Sequence, residues 1–182
     1  MQTLQPFQII YAPNDIFRQK TKDVKIVDDV VRGIADRMVK TMYAEGAVGI
    51  GANMVGVTES IVVVDLRENG EHNPYIFINP KITYYSKEMQ IFKEGSLSFP
   101  GITAAIERPS SIKLSYLDDQ GQPKELEATG FFATVIQHEV DYLNGIIYLD
   151  YISKMKRDML LKKMEKHIEM NPPHVHGAHC HH

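Results

Sequence analysis

Gln137-His138-Glu139-Val140-Asp141-Tyr142-Leu143-Asn144-Gly145 is the stretch that decides how the rest of the chain is read. Around it, Phe132, Val135, Ile136 and Leu143 recur at helical spacing, and Gly130 and Gly145 bracket the run. The spacing predicts a core helix that carries His138 and Glu139 side by side. In the pattern His-Glu-x-x-His, two histidines four apart share one helix face and can grip a single ion. The intervening Glu then serves as base on the metal-bound water. Here the second histidine position is Tyr142. The pattern is broken at a ligand.

Working outward, Val27, Val30, Val31, Ile34, Met38 and Met42 form an apolar stripe at helical spacing, with Asp28 and Asp29 in the first turn, where the helix dipole favours negative charge. A Gly-rich segment, Ala47 to Val57, follows. It lacks the Gly-x-Gly-x-x-Gly that follows a strand and opens a helix, so it reads as a tight turn or a place of close backbone approach, not a phosphate cradle. Ile61 to Leu66, Tyr75 to Asn79, Ile82 to Tyr85, Ile112 to Leu117 and Leu126 are β-rich. Glu68-Asn69-Gly70, Asn79-Pro80 and Asp118 to Gly121 read as turns between them. Glu94 to Gly101 is a compact, Pro-ended segment inside this region.

Strands followed by a buried helix predict an α+β class, with antiparallel β-sheets packed around the central helix of the His-Glu-x-x-Tyr segment. A C-terminal helix runs from Ser153, its cap, to about Met170, with Met155, Leu160, Met164 and Ile168 on one side. Its Lys154, Lys156, Arg157, Lys162, Lys163 and Lys166 read first as a solvated face, and only second as a dock for an acidic partner. The expected organisation is a single domain over 1–170 and a His-rich, disordered tail over 171–182.

Composition limits the function classes. The 182 residues are 43% hydrophobic, enough for a real core, and the net charge of −3 argues against an extensive nucleic-acid surface. No apolar run is long enough to span a bilayer. Met1 to Pro13 has no basic stretch leading into an apolar core, so no secretory signal is expected. The only cysteine is Cys180, which fits a reducing, cytoplasmic setting. Five of the eight histidines lie between His174 and His182 and, with Cys180, can bind transition metals loosely. The bland alternative is a terminus that binds metal only adventitiously.

Three segments together resemble the peptide deformylase family: Ala47 to Met54, Glu94 to Ser98 and Gln137 to Gly145. They are similar to that family's Gly-x-Gly-x-Ala-Ala-x-Gln, Glu-Gly-Cys-Leu-Ser and Gln-His-Glu-x-Asp-His-Leu-x-Gly. Val55-Gly56-Val57, Pro100-Gly101, Arg108-Pro109 and Leu149 to Ser153 extend the likeness over about residues 5 to 165. The resemblance implies removal of the N-formyl group from initiator methionine, with an iron or zinc ion held by a cysteine and two histidines. It implies that Glu139 is the acid–base, that His138 is the one intact metal ligand, and that the Leu97 N–H is an oxyanion donor. Ser96 and Tyr142 stand at the other two ligand positions, Met54 replaces the oxyanion glutamine, and Ala47 replaces a glycine. The resemblance places the substrate methionine among Val48, Gly49, Gly95, Phe131, Thr134, Val135 and His138.

Those departures carry chemical consequences. A phenol ionises near pH 10 and an aliphatic hydroxyl less readily, so one imidazole and two neutral hydroxyls make a poor metal site. No cofactor is therefore expected at the family site. Ser96, His138 and Tyr142 are expected to hydrogen-bond across the old pocket, since buried polar groups need partners. Two classes remain: a binding module for N-terminal Met peptides or a ribosomal or other protein partner, and an enzyme. The enzyme would be either a deformylase with atypical ligands or a hydrolase in which His138 activates Ser96.

Overall fold

The computed structural model describes residues 4–173. Helix α1 (Asp29–Ala44) starts at Asp28, whose carboxylate accepts the Val31 N–H at the cap. Strands β1 (Gly49–Gly51), β2 (Ile61–Val64), β3 (Tyr75–Tyr85), β6 (Ser111–Leu117) and β7 (Pro123–Thr129) follow, with β4 (Met89–Ser96) and β5 (Phe99–Pro109) inserted between β3 and β6. Helices α2 (Gly130–Leu143) and α3 (Lys154–Met170) close the order. The five-stranded sheet runs β1-β2-β3-β6-β7 and the second sheet is the β4-β5 pair, all antiparallel. The α+β reading of the sequence holds.

The unbroken apolar run Ile61-Val62-Val63-Val64 has a direct physical reason. Helices α1 and α2 both pack on β2, so side chains of either pleat direction are buried. Helix α2 is itself a core helix, buried at every residue from Ala133 to Val140. This packing sets the site's position, because α2 lies where the edge of β1 approaches the β4-β5 hairpin.

Two expectations need correction. Asn79-Pro80 is not a turn between two strands: β3 runs continuously from Tyr75 to Tyr85, with a bulge that shifts its register against β6 between Ile78 and Lys81. Pro80 has no N–H to give the ladder, and Asn79 (φ 50°) turns its amide to exchange 2.8 Å bonds with both the N–H and the carbonyl of Val24. The compact Glu94–Gly101 segment is the turn end of the β4-β5 hairpin, whose alternation is hidden by the inward-facing Glu94 and Arg108. Met155 does not join an apolar face. It is 83% exposed, whereas Leu160 and Met164 are buried and Leu161 and Ile168 pack, partly buried, against the core.

The basic residues Lys154, Lys156, Lys162, Lys163 and Lys166 face solvent. His167 lies against Gly101 (φ +77°), where even a Cβ would stand 2.4 Å from the imidazole, and this close approach seats α3 on β5. Among the described residues no helix is long and apolar enough to cross a membrane. The histidines from His174 onward, and the metal affinity expected of them, lie outside the described residues.

Candidate active site

Helix α2 presents Phe131, Thr134, Val135, His138 and Glu139 to one side of a cleft of about 300 Å³. The opposite side is the end of the hairpin, with Glu94, Gly95, Ser96 and Leu97. Val48, Gly49 and Met54 supply the third wall. Every sequence-selected pocket residue therefore borders the same space. Tyr142 is the exception among the site residues: it lies fully buried behind the cleft, edge-on to Phe17 and to His138.

Glycine at position 49 leaves room that a larger residue would have to take from α2. A Cβ there would meet Glu139 Cγ at 3.0 Å and Val135 Cγ1 at 3.1 Å. This is the close backbone approach that the Gly-rich segment announced, and it presses β1 against the face of α2 that holds the carboxylate.

The polar groups pair in a specific way. Tyr142 Oη donates to Ser96 Oγ across 2.7 Å, and the Ser98 N–H donates to the same oxygen at 3.2 Å. His138 does not complete this set, contrary to expectation. Its Nδ1 donates to Glu94 Oε1 at 2.7 Å. Glu94 is an ionised acceptor held in place by Arg108 at 2.8 and 3.0 Å, and such a charge-assisted bond outcompetes a hydroxyl. That bond fixes the orientation of the ring. No bond joins Ser96 to His138 among the described residues, so the Ser–His nucleophile arrangement is not formed.

Burial alone would push the Glu94 carboxyl up, but its bonds from His138 and Arg108 outweigh that and hold it below the usual range. Glu139 has the opposite balance. Burial pushes it up to about 7, only partly offset by its neighbours and by the Gly51 N–H, and its Oε2 has no hydrogen-bond partner among the described residues. Burial also drives the Tyr142 phenol well above its ordinary value.

The donor set does not fit a divalent metal. Of the three family ligand positions, one is an imidazole, one an aliphatic hydroxyl, and one a phenol that its surroundings keep protonated. The two hydroxyls also spend their hydrogen bond on each other. The Met54 side chain, buried at the cleft wall, has no N–H with which to hold an oxyanion.

The sequence reading missed the support behind the cleft. Arg108, 2% exposed, links Glu94 to Asp141 (2.8 Å), which also accepts from Tyr151 Oη at 2.7 Å, with the guanidinium over the Tyr151 ring. Tyr148 stacks on His138, and Gln90 ties β4 to α2 through Gly130 O and Thr134 Oγ1. An arginine at an inward position of an alternating strand was the available signal.

Comparison with known proteins agrees with this layout. The polypeptide deformylase family profile matches residues 6–158. A Rickettsia conorii protein named peptide deformylase-like is 58% identical over 176 residues, covering 97% of this chain and 96% of its own. The peptide deformylase of Caulobacter sp. strain K31 is 43% identical over 152 residues, covering 83% and 88%. The crystal structure of Ehrlichia chaffeensis peptide deformylase in complex with actinonin superposes with a TM-score of 0.85 at 36% identity, over 93% of this chain and 100% of that one. With the family profile matched over residues 6–158 and relatives at 43 and 58% identity along most of its length, the chain belongs to the peptide deformylase family.

Proposed function

We propose that the cleft receives the N-terminal methionine end of an extended peptide and holds it without metal-dependent hydrolysis. The observation that carries this reading is the 2.7 Å bond from Tyr142 Oη to Ser96 Oγ, which occupies both lost ligand positions with each other. The ligand class is supported by the strands that flank the cleft. β1 is an edge of the five-stranded sheet and β4 pairs only with β5, so each offers unpaired backbone groups to an entering chain. Walls of Val48, Met54, Phe131 and Val135 suit a flexible apolar side chain such as methionine. That the Ehrlichia chaffeensis deformylase is known with actinonin supports a ligand-accepting site in the shared fold. Nascent chains, at the ribosome or on a protein partner, are the source of methionine termini this reading calls for, and the lone Cys180 supports a cytoplasmic setting.

The alternative is a working hydrolase with atypical ligands, and the comparisons favour it over the non-hydrolytic reading. Relatives at 40 and 43% identity carry the plain name peptide deformylase, although the relative at 58% is named deformylase-like. Glu139 is also held at about 7, where a carboxyl can take and return a proton at neutral pH.

Formate release separates the two. The full chain is incubated with a formyl-Met peptide, with and without added Fe²⁺ or Zn²⁺, while binding of the same peptide is followed. Loss of a single oxyanion donor costs roughly 10²–10³ in rate, and the missing ligands add to that, so the expected result is bound peptide recovered intact. Turnover in the ordinary enzyme range, abolished by Glu139→Gln, establishes the hydrolase instead.

A further inference from the structure

Arg67 stands at the open end of the cleft and forms no ion pair among the described residues. Deep in the cleft Gly49 lies against Glu139, while Gly46 is exposed where the same wall reaches solvent. From the turn after β2 the Arg67 guanidinium donates to the Gly46 carbonyl through a long 3.4 Å bond. Glu68 and Glu71 border a second hollow that Arg67 also lines, yet neither pairs with it. The backbone is committed to this placement. Arg67 sits at φ 52°, left-handed and unfavourable for a long side chain, and Asp65 Oδ1 holds it there by accepting its N–H at 2.8 Å. Asp65 is fixed in turn by the Tyr43 hydroxyl and the Asn73 N–H. Resting on the reading that the cleft takes methionine-ended peptides, we propose that Arg67 binds a carboxylate on the third residue of the ligand, so that Met-x-Glu and Met-x-Asp termini are preferred.

The position follows from strand geometry. The Asp65 N–H donates to the Val48 carbonyl, so residue 48 faces β2 and, by alternation, residues 47 and 49 present backbone groups to the free edge. A peptide laid along that edge advances one residue for each residue of the wall, since both rise by about 3.3 Å. With its methionine against Val48 and Gly49, the chain leaves past Ala47, and its third residue comes level with Gly46. A carboxylate there exchanges a long bond to a neutral carbonyl for a two-pronged bond to an anion, the geometry that a guanidinium fits best. A lysine at the same place meets like charge. Both carboxylates that border the cleft, Glu94 and Glu139, are buried, and Lys93, exposed on the hairpin wall, adds a cation. The chain-end carboxylate of a free tripeptide offers the same chemistry.

The test is a series of formyl-Met-Ala-Xaa-Ala amides with Glu, Gln or Lys as Xaa. Formyl-Met-Ala-Ala, as free acid and as amide, separates a side-chain carboxylate from a chain end. Affinity for the full wild-type chain is measured by calorimetry at low salt and at about 1 M, where exposed charges are screened. Where the formyl group is released, the same ratios are read from kcat/KM. The expected order is Glu above Gln by roughly three- to tenfold and Lys weakest, with the gap closing in high salt. Arg67→Asn, a residue that enters the left-handed region readily, should bring the Glu and Gln peptides together, and Arg67→Glu should favour Lys. Equal affinities throughout the wild-type series overturn the role of Arg67 and leave the methionine-terminus reading standing. So does a Glu preference that survives both substitutions. An advantage confined to the free acid keeps Arg67 as the carboxylate site and assigns it to a chain end. Binding of no peptide overturns both readings. The wild-type series decides the matter even where a variant does not fold.

Discussion

Tyr142 Oη and Ser96 Oγ stand 2.7 Å apart and join helix α2 to strand β4 at the two positions where the family places metal ligands. His138 and Glu94 make a second bond between the same two elements. Protein-to-protein hydrogen bonds therefore do here what an ion does when it bridges a helix and a strand. The first prediction follows from that substitution. Tyr142→Phe keeps the buried ring and removes only the oxygen, so it should lower stability by about 1 kcal/mol, the usual net worth of one hydrogen bond. Urea denaturation of the two proteins checks it.

Glu94→Gln should cost far more. It leaves Arg108 with one fewer carboxylate in a site where both partners are almost fully buried, and breaking such a pair costs about 3–5 kcal/mol. The same urea measurement should show a clear gap between this variant and Tyr142→Phe. Similar losses for both would mean that the Glu94–Arg108 pair is not what fixes the hairpin against α2.

The acid limb of stability should report on Asp65. Burial would raise its carboxyl, but bonds from the Tyr43 hydroxyl and from the Arg67 and Asn73 N–H groups outweigh this and hold it below its ordinary value of 3.8. A carboxyl depressed in the folded state contributes stability that is present above its unfolded pKa and lost as pH falls through its folded one. Asp65→Asn should therefore be less stable than wild type at pH 7 and should flatten the fall below about pH 4. Parallel denaturation midpoints across pH 2 to 7, within that ordinary carboxylate range, would contradict the assignment.

The scaffold should accept its old chemistry back. Residue 142 lies one turn after His138 on α2, so Tyr142→His restores the His-Glu-x-x-His pair without moving backbone. Ser96→Cys restores a thiolate donor and Met54→Gln an oxyanion donor. Each change alone should do almost nothing, because groups that act as a unit are far from additive. The double ligand variant should bind one metal per chain, and the triple should release formate in a manner dependent on Glu139. A triple variant that folds yet binds no metal would show that these positions no longer converge.

How far the sequence could be read depended on which force shaped each part. The α2 helix, α1, the Ser153 cap and the apolar run of β2 were legible because burial and capping leave a periodic or positional trace in residue types. The β4-β5 hairpin was not, since its inward face carries Glu94 and Arg108, charges that neutralise each other only once the strands pair. The bulge at Asn79 was taken for a turn because Asn-Pro signals both. The convergence of Val48, Gly49, Met54, Ser96, Leu97 and Glu139 on one cleft was reached through resemblance, as no local pattern ties residues so far apart. The partner of His138 could not be chosen from sequence at all. Choosing Glu94 over Ser96 needs the three-dimensional position of Arg108.

The Ser96–His138–Tyr142 locus is expected neither to need nor to hold a metal. The direct measurement is elemental analysis of protein truncated after Met170, which removes the tail histidines, after exposure to Fe²⁺ or Zn²⁺ and desalting, paired with thermal melts with and without chelator. The expected result is metal far below one equivalent per chain and superimposable melts, because packing and protein hydrogen bonds supply the core. One tightly bound equivalent, removed by chelator together with a fall in melting temperature, would contradict it.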